Sequence, residues 1–142
     1  QNINVGLANI DEAGEIYYLY GNVTTSAQYL GCYAVNNTGC NNFSLDSVCN
    51  EFGTYGSEFN ANSIWNQFGT FGSIFNTSSP WNQFATAPNT PYLYNYNGSY
   101  NYGALTVNSF NPDLTASSVP RLILQKFLDT NSHSQTRDYA CN

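Results

Sequence analysis

Large apolar residues alternate with small or polar ones at the start of the chain, in Asn2-Ile3-Asn4-Val5-Gly6-Leu7-Ala8. A period of two is the pattern of a half-buried strand, with Ile3, Val5 and Leu7 on one face. Beyond a turn-like stretch from Asn9 to Gly14 come two β-prone runs rich in tyrosine, Ile16 to Tyr20 and Gln28 to Val35, separated by the turn signal Gly21-Asn22. Tyr92 to Tyr96 and Tyr102 to Asn108 predict a further pair of strands, joined through Asn97-Gly98, a sequence suited to a type I′ turn. Near the C-terminus the period changes. Val119, Leu122, Ile123 and Phe127 fall at helical spacing, after Ser117-Ser118 as a cap and with Pro120 in the first turn, which predicts one short helix. Leu124 breaks that stripe, so a strand through Arg121-Leu122-Ile123-Leu124 is the competing assignment.

The middle of the chain follows neither period and instead repeats every 16 residues, from Ser47 to Ser63 to Ser79. The first copy reads Ser47-Val48-Cys49-Asn50-Glu51-Phe52-Gly53-Thr54-Tyr55-Gly56-Ser57-Glu58-Phe59-Asn60. The second reads Ser63-Ile64-Trp65-Asn66-Gln67-Phe68-Gly69-Thr70-Phe71-Gly72-Ser73-Ile74-Phe75-Asn76. A shortened third copy runs from Ser79-Pro80-Trp81-Asn82-Gln83-Phe84 to Pro88. Glycine and asparagine at fixed places predict successive turns whose Asn side chains bond the backbone. Units of short period bury one another's apolar faces, so the aromatic residues are expected to point inward and the block at 47–88 to be scaffold.

Composition narrows the function classes. Of 142 residues only 12 are charged, none lies between Phe59 and Pro112, and the net charge is −6. An acidic chain without a basic stripe is a poor partner for nucleic acid or an anionic membrane, and no run of apolar residues is long enough to cross one. The chain opens on Gln1 and contains no Met, as a chain does after removal of a signal peptide. Cys32, Cys40, Cys49 and Cys141 have neither CxxC spacing nor histidine partners, which argues against zinc and for two disulfides in an oxidising compartment. Of three connectivities, Cys32–Cys40 with Cys49–Cys141 is favoured, because the first pair closes the Asn-rich loop and the second ties down the tail. The expected organisation is an N-terminal strand at 1–10 and a single β-rich domain at 11–142, with the 16-residue repeats at 47–88 inside it.

The block from Asp46 to Pro88, with Tyr92-Leu93-Tyr94, Asn97-Gly98 and Leu105-Thr106-Val107-Asn108 after it, resembles a family of exported bacterial proteins. Those carry S-x-x-N-x-[YF]-G-x-[YF]-G-S repeats ending in S-x-x-N-x-[YF]-A, and the likeness spans roughly residues 28 to 110. The family carries no established activity, and Cys49 departs from its pattern. The alternating N-terminus is similar to the donor strand of pilus subunits assembled by donor-strand exchange. That resemblance implies an immunoglobulin-like sandwich completed by a strand from a neighbour, with Ile3, Val5 and Leu7 as the inserted residues. It implies copies of the chain itself as partners in an extracellular or cell-surface filament, and no cofactor.

Candidate chemistry is sparse. His133 has Ser132, Ser134, Asp129 and Asp138 as neighbours in sequence, where a Ser-His-Asp site needs groups converging from different elements, so a solvated histidine in a polar tail is expected. The acids Glu51 and Glu58 are replaced in the second copy by Gln67 and Ile74, which argues against a repeated catalytic role. No catalytic residue and no metal site is assigned. Exposed aromatics would suit carbohydrate, the alternative function, although Trp65 and Trp81 at equivalent repeat positions suit packing better. Sequons stand at Asn22, Asn36, Asn42, Asn76 and Asn97.

Overall fold

The computed structural model describes Ile3 and residues 14–142; Val5 and Leu7 lie outside the described residues. Strands β1 (Ile16–Gly21), β2 (Gln28–Ala34), β3 (Tyr92–Tyr94) and β4 (Asn101–Ala104) form an antiparallel sheet in the order β2-β1-β3-β4. Alternation sets its two faces. Tyr17 and Leu19 are buried in the main core, whereas Ile16 and Tyr18 pack on the opposite face against Cys32, Ala34 and Cys40. The β3–β4 connection is wider than the type I′ turn expected of Asn97-Gly98. Gly98 N–H donates to Asn95 O, and of the two central residues only Gly98 has a positive φ, where a type I′ turn needs both.

Helix α1 (Ser118–Thr130) forms where the helical stripe predicts it, and Leu124, the residue that spoiled the stripe, is fully buried with Ile123 and Phe127. A second helix, α2 (His133–Cys141), replaces the expected polar tail. Its N-terminus is capped by Ser132, whose Oγ accepts from Gln135 N–H. Low apolar content hid this helix from periodicity: among its residues only Thr136 is buried.

The repeats form a three-tiered stack of turns. The leading Ser47, Ser63 and Ser79 are wholly buried, and each Oγ accepts the N–H of the residue two further on, Cys49, Trp65 or Trp81. Each tryptophan reaches back one tier: Trp65 Nε1 donates to Val48 O at 2.7 Å and Trp81 Nε1 to Ile64 O at 2.6 Å. The indoles stack at 5.5 Å, and Trp81 stacks in turn on Phe127 of α1 at 4.8 Å. The tier spacing thus matches one helical turn, about 5.4 Å, and α2 uses the match. His133 bonds Gly72 O, and Arg137, four residues on, donates to Gly56 O, the equivalent carbonyl one tier away. Disulfide Cys49–Cys141 ties the end of α2 to the first tier, while Cys32–Cys40 closes the loop across the outer sheet face.

Sheet, repeat stack and helices share one core that includes Tyr17, Leu19, Leu93, Ile64, Trp65, Trp81 and Leu124. Among the described residues there is one sheet, and the layer a second sheet would form in an immunoglobulin-like sandwich is occupied by the stack and helices. The reason lies in the repeats, whose backbone groups bond largely within their own turns and to Asn and Ser side chains, so that the first tier meets β2 only at an isolated bridge between Ser47 and Cys32. Gly56 and Gly72 permit that closeness, since a Cβ at either would collide with the carbonyl of Asn50 or Asn66. Gly72→Ala is therefore expected to destabilise the fold by about 1–3 kcal/mol, the usual cost of overpacking. Urea denaturation measures this, and an unchanged midpoint would contradict the packing described.

Candidate assembly surface

Tryptophan and phenylalanine part company in the stack. Trp65, Trp81 and Phe71 point inward as expected, yet seven of the nine phenylalanines are 79–91% exposed: Phe43, Phe52, Phe59, Phe68, Phe75, Phe84 and Phe110. The expectation that repeat aromatics pack inward is corrected at the five of these positions that lie within 47–88. One local device presents them all. Each is the third residue of an Asn-x-Phe or Ser-x-Phe triplet, and its N–H donates to the Asn Oδ1 or Ser Oγ two residues before. This turn spends the polar side chain on the backbone and sets the aromatic ring at the outer corner. Phe71 follows Gly69-Thr70 and Phe127 follows Gln125-Lys126; neither has the triplet, and both are buried. The triplet is visible in the sequence and separates the phenylalanines, although Trp65 and Trp81 end Ser-x-Trp triplets with the same bond and point inward.

Pairs of these rings frame three clefts of about 290, 510 and 380 Å³, between Phe43 and Phe52, Phe59 and Phe68, and Phe75 and Phe84. Corresponding residues of successive clefts are one repeat apart. Their other wall advances along the helices, from Arg137, Asp138 and Cys141 through Ser132 and His133 to Phe127 and Leu128.

A second aromatic surface covers the outer sheet face. Tyr20 packs on Tyr29 and Tyr94, Tyr18 on Tyr96, and Tyr29 on Tyr55, at 5.2–5.9 Å between ring centroids. Tyr29 donates to Asp46 Oδ2 and Tyr92 to Asp113 Oδ2, and burial first, then these bonds, push both phenols above their ordinary range.

The N-terminus reaches the core at one described point. Ile3 is 1% exposed within the main cluster, and its N–H donates to Gln125 Oε1 of α1 at 3.0 Å. Two of the sequons meet at Ser78, and those of Asn36 and Asn42 meet where Asn42 N–H donates to Asn37 Oδ1. Asn36 and Asn97 are exposed, Asn22 accepts from Ser78 Oγ, Asn76 accepts from Ser78 N–H, and Asn42 Nδ2 donates to Cys141 O.

His133 is not the solvated residue expected. It lies edge-on to Trp81 and Phe127 with Nε2 on Gly72 O, and its serine and aspartate neighbours do not bond it. Burial lowers its pKa, against a smaller opposing effect of the Gly72 carbonyl. The folded state therefore binds a proton less readily than the unfolded chain. This contribution to stability is complete above the unfolded value of about 6.5 and is lost as pH falls below it towards the depressed folded value. The stability difference between pH 7 and pH 5 is expected to shrink in His133→Gln, as read by urea denaturation at the two pH values; an equal difference would remove His133 as the source.

Among the described residues no cluster of three or more His, Cys, Asp or Glu side chains converges, and no helix is long and apolar enough to cross a membrane. No protein-family model, curated protein or solved structure matches the chain.

Proposed function

We propose that this protein is the structural subunit of an extracellular, pilus-like filament, and that it polymerises by inserting its N-terminal strand into a neighbouring subunit. The observation that carries the reading is the seat of Ile3: a buried side chain, distant in sequence from Gln125 and the core residues around it, fills their cluster. A plug distant in sequence from its seat can be supplied by its own chain or by the next one, which is the condition for exchange between protomers. Val5 and Leu7 continue the alternation of Ile3 and complete the donated face. Two disulfides suit an oxidising exterior, and the three basic residues offer few sites to trypsin-like proteases.

Deleting residues 1–9 is expected to abolish filaments seen by electron microscopy, and adding those residues back as a peptide to raise the melting temperature of the truncated subunit. Undiminished filaments after the deletion would end the donor-strand reading. The tyrosine strip of the outer sheet face favours a second reading, an adhesive or carbohydrate-binding module, because half-exposed rings with phenolic rims suit sugars. A glycan array with wild type and Tyr20→Ala tests that reading.

A further inference from the structure

Phe43, Phe59 and Phe75 occupy one repeat position, and Phe52, Phe68 and Phe84 another, so the stack carries two rows of exposed rings with a cleft between each pair. We propose that this double row is an interface between two copies of this chain, packed face to face, with rings of one copy seated in the clefts of the other. It takes its choice of partner from the homopolymer reading, but it rests on a different surface from the donated strand and does a different job, pairing subunits side by side.

Three observations select a second copy. The first is self-complementarity: knobs and clefts alternate on the same surface with the same period, so two such faces related by a two-fold axis satisfy each other, as an isologous contact requires. The second is area. Six nearly fully exposed phenylalanines would bury about 150–250 Å² each on being covered, on the order of 1,000 Å² per copy, against about 800 Å² per partner in a standard stable interface. The third is charge. Although the chain is strongly acidic, the second and third tiers carry no charge, Glu51 of the first is paired with Arg137 at 3.0 Å, and at the clefts only Glu58 and Asp138 remain as acids outside that ion pair. Two copies therefore bring few like charges together here for so acidic a chain. The main chain that carries the rings also needs little ordering, because each Phe N–H is bonded to the Asn or Ser two residues before it.

The experiment uses the full chain with Phe52, Phe59, Phe68 and Phe75 all changed to Ser. These side chains are exposed, so circular dichroism is expected to match wild type. Sedimentation velocity should show the side-by-side association weakened at least about 100-fold, each buried ring being worth more than a kcal/mol at an interface. Leu7→Asp, which blocks strand donation, is expected to lose filaments and keep the pair. Equal association of the four-serine variant and wild type would overturn the proposal, whether or not filaments form. So would loss of the pair in Leu7→Asp, or a wild type that stays monomeric at about 100 μM while its Phe face binds a glycan oligosaccharide or lipid vesicles. Unpaired filaments from the four-serine variant would support the pairing role and leave strand donation intact.

Discussion

Trp81→Ala is expected to lower the free energy of unfolding by about 3–5 kcal/mol, the range for truncating a large buried aromatic. Three parts of the fold meet on this side chain. Its ring lies between Trp65 of the second tier and Phe127 of α1, His133 of α2 touches its edge, and its Nε1–H satisfies Ile64 O. Alanine would leave a cavity where tiers and helices join and strand a buried carbonyl. Trp81→Phe separates the two effects, keeping most of the stack and losing the donor, and should cost about 1–3 kcal/mol. Urea denaturation followed by circular dichroism reads both variants. A loss below about 1 kcal/mol for Trp81→Ala would mean that the indole ladder does not hold the tiers.

The strands and first helix were legible because their periodicities of two and of helical spacing reflect burial on one face. Tyr17 and Leu19 face the core as alternation requires, and Phe127 and Ile123 sit where the helical stripe puts them. The repeat was equally visible as a repeat, but its faces were not. Composition treats Phe and Trp alike, and so does the local turn, since Ser-x-Trp and Ser-x-Phe make the same N–H bond to the Ser Oγ; what separates them is the place of the triplet in the repeat, with Ser63 and Ser79 wholly buried and their indoles inward while Phe59 and Phe75 stand exposed. Reading the triplet in place of the aromatic class distinguishes Phe71 and Phe127 from the other seven. Helix α2 was illegible for another reason. It is held by point contacts, His133 to Gly72 O, Arg137 to Gly56 O and Cys141 to Cys49, and none of these leaves a hydrophobic stripe.

Those point contacts make the Cys49–Cys141 disulfide the other large contributor. In the chain-entropy account its separation of 92 residues corresponds to about 4–5 kcal/mol of destabilisation of the unfolded chain, and the separation of 8 in Cys32–Cys40 to about 2–3 kcal/mol. Cys49 stands where the next two tiers have Trp65 and Trp81, so the first tier lacks an indole and has the covalent bond to α2 instead. Replacing both Cys49 and Cys141 by Ser is thus expected to release the helices from that end. Trypsin reports this directly, because every Lys and Arg of the chain lies in the helices: Arg121 and Lys126 in α1, Arg137 in α2. Wild type and the Cys32→Ser, Cys40→Ser protein should resist cleavage at a protease concentration that cuts the Cys49→Ser, Cys141→Ser protein first after Arg137, where non-covalent contacts alone remain: Arg137 to Glu51 and Gly56 O, Tyr33 to Ala140 O and Asn42 to the carbonyl of residue 141. Equal resistance of the two disulfide variants would show that the helices are held by packing on Trp81 and Phe127, and that the long-range cross-link acts elsewhere.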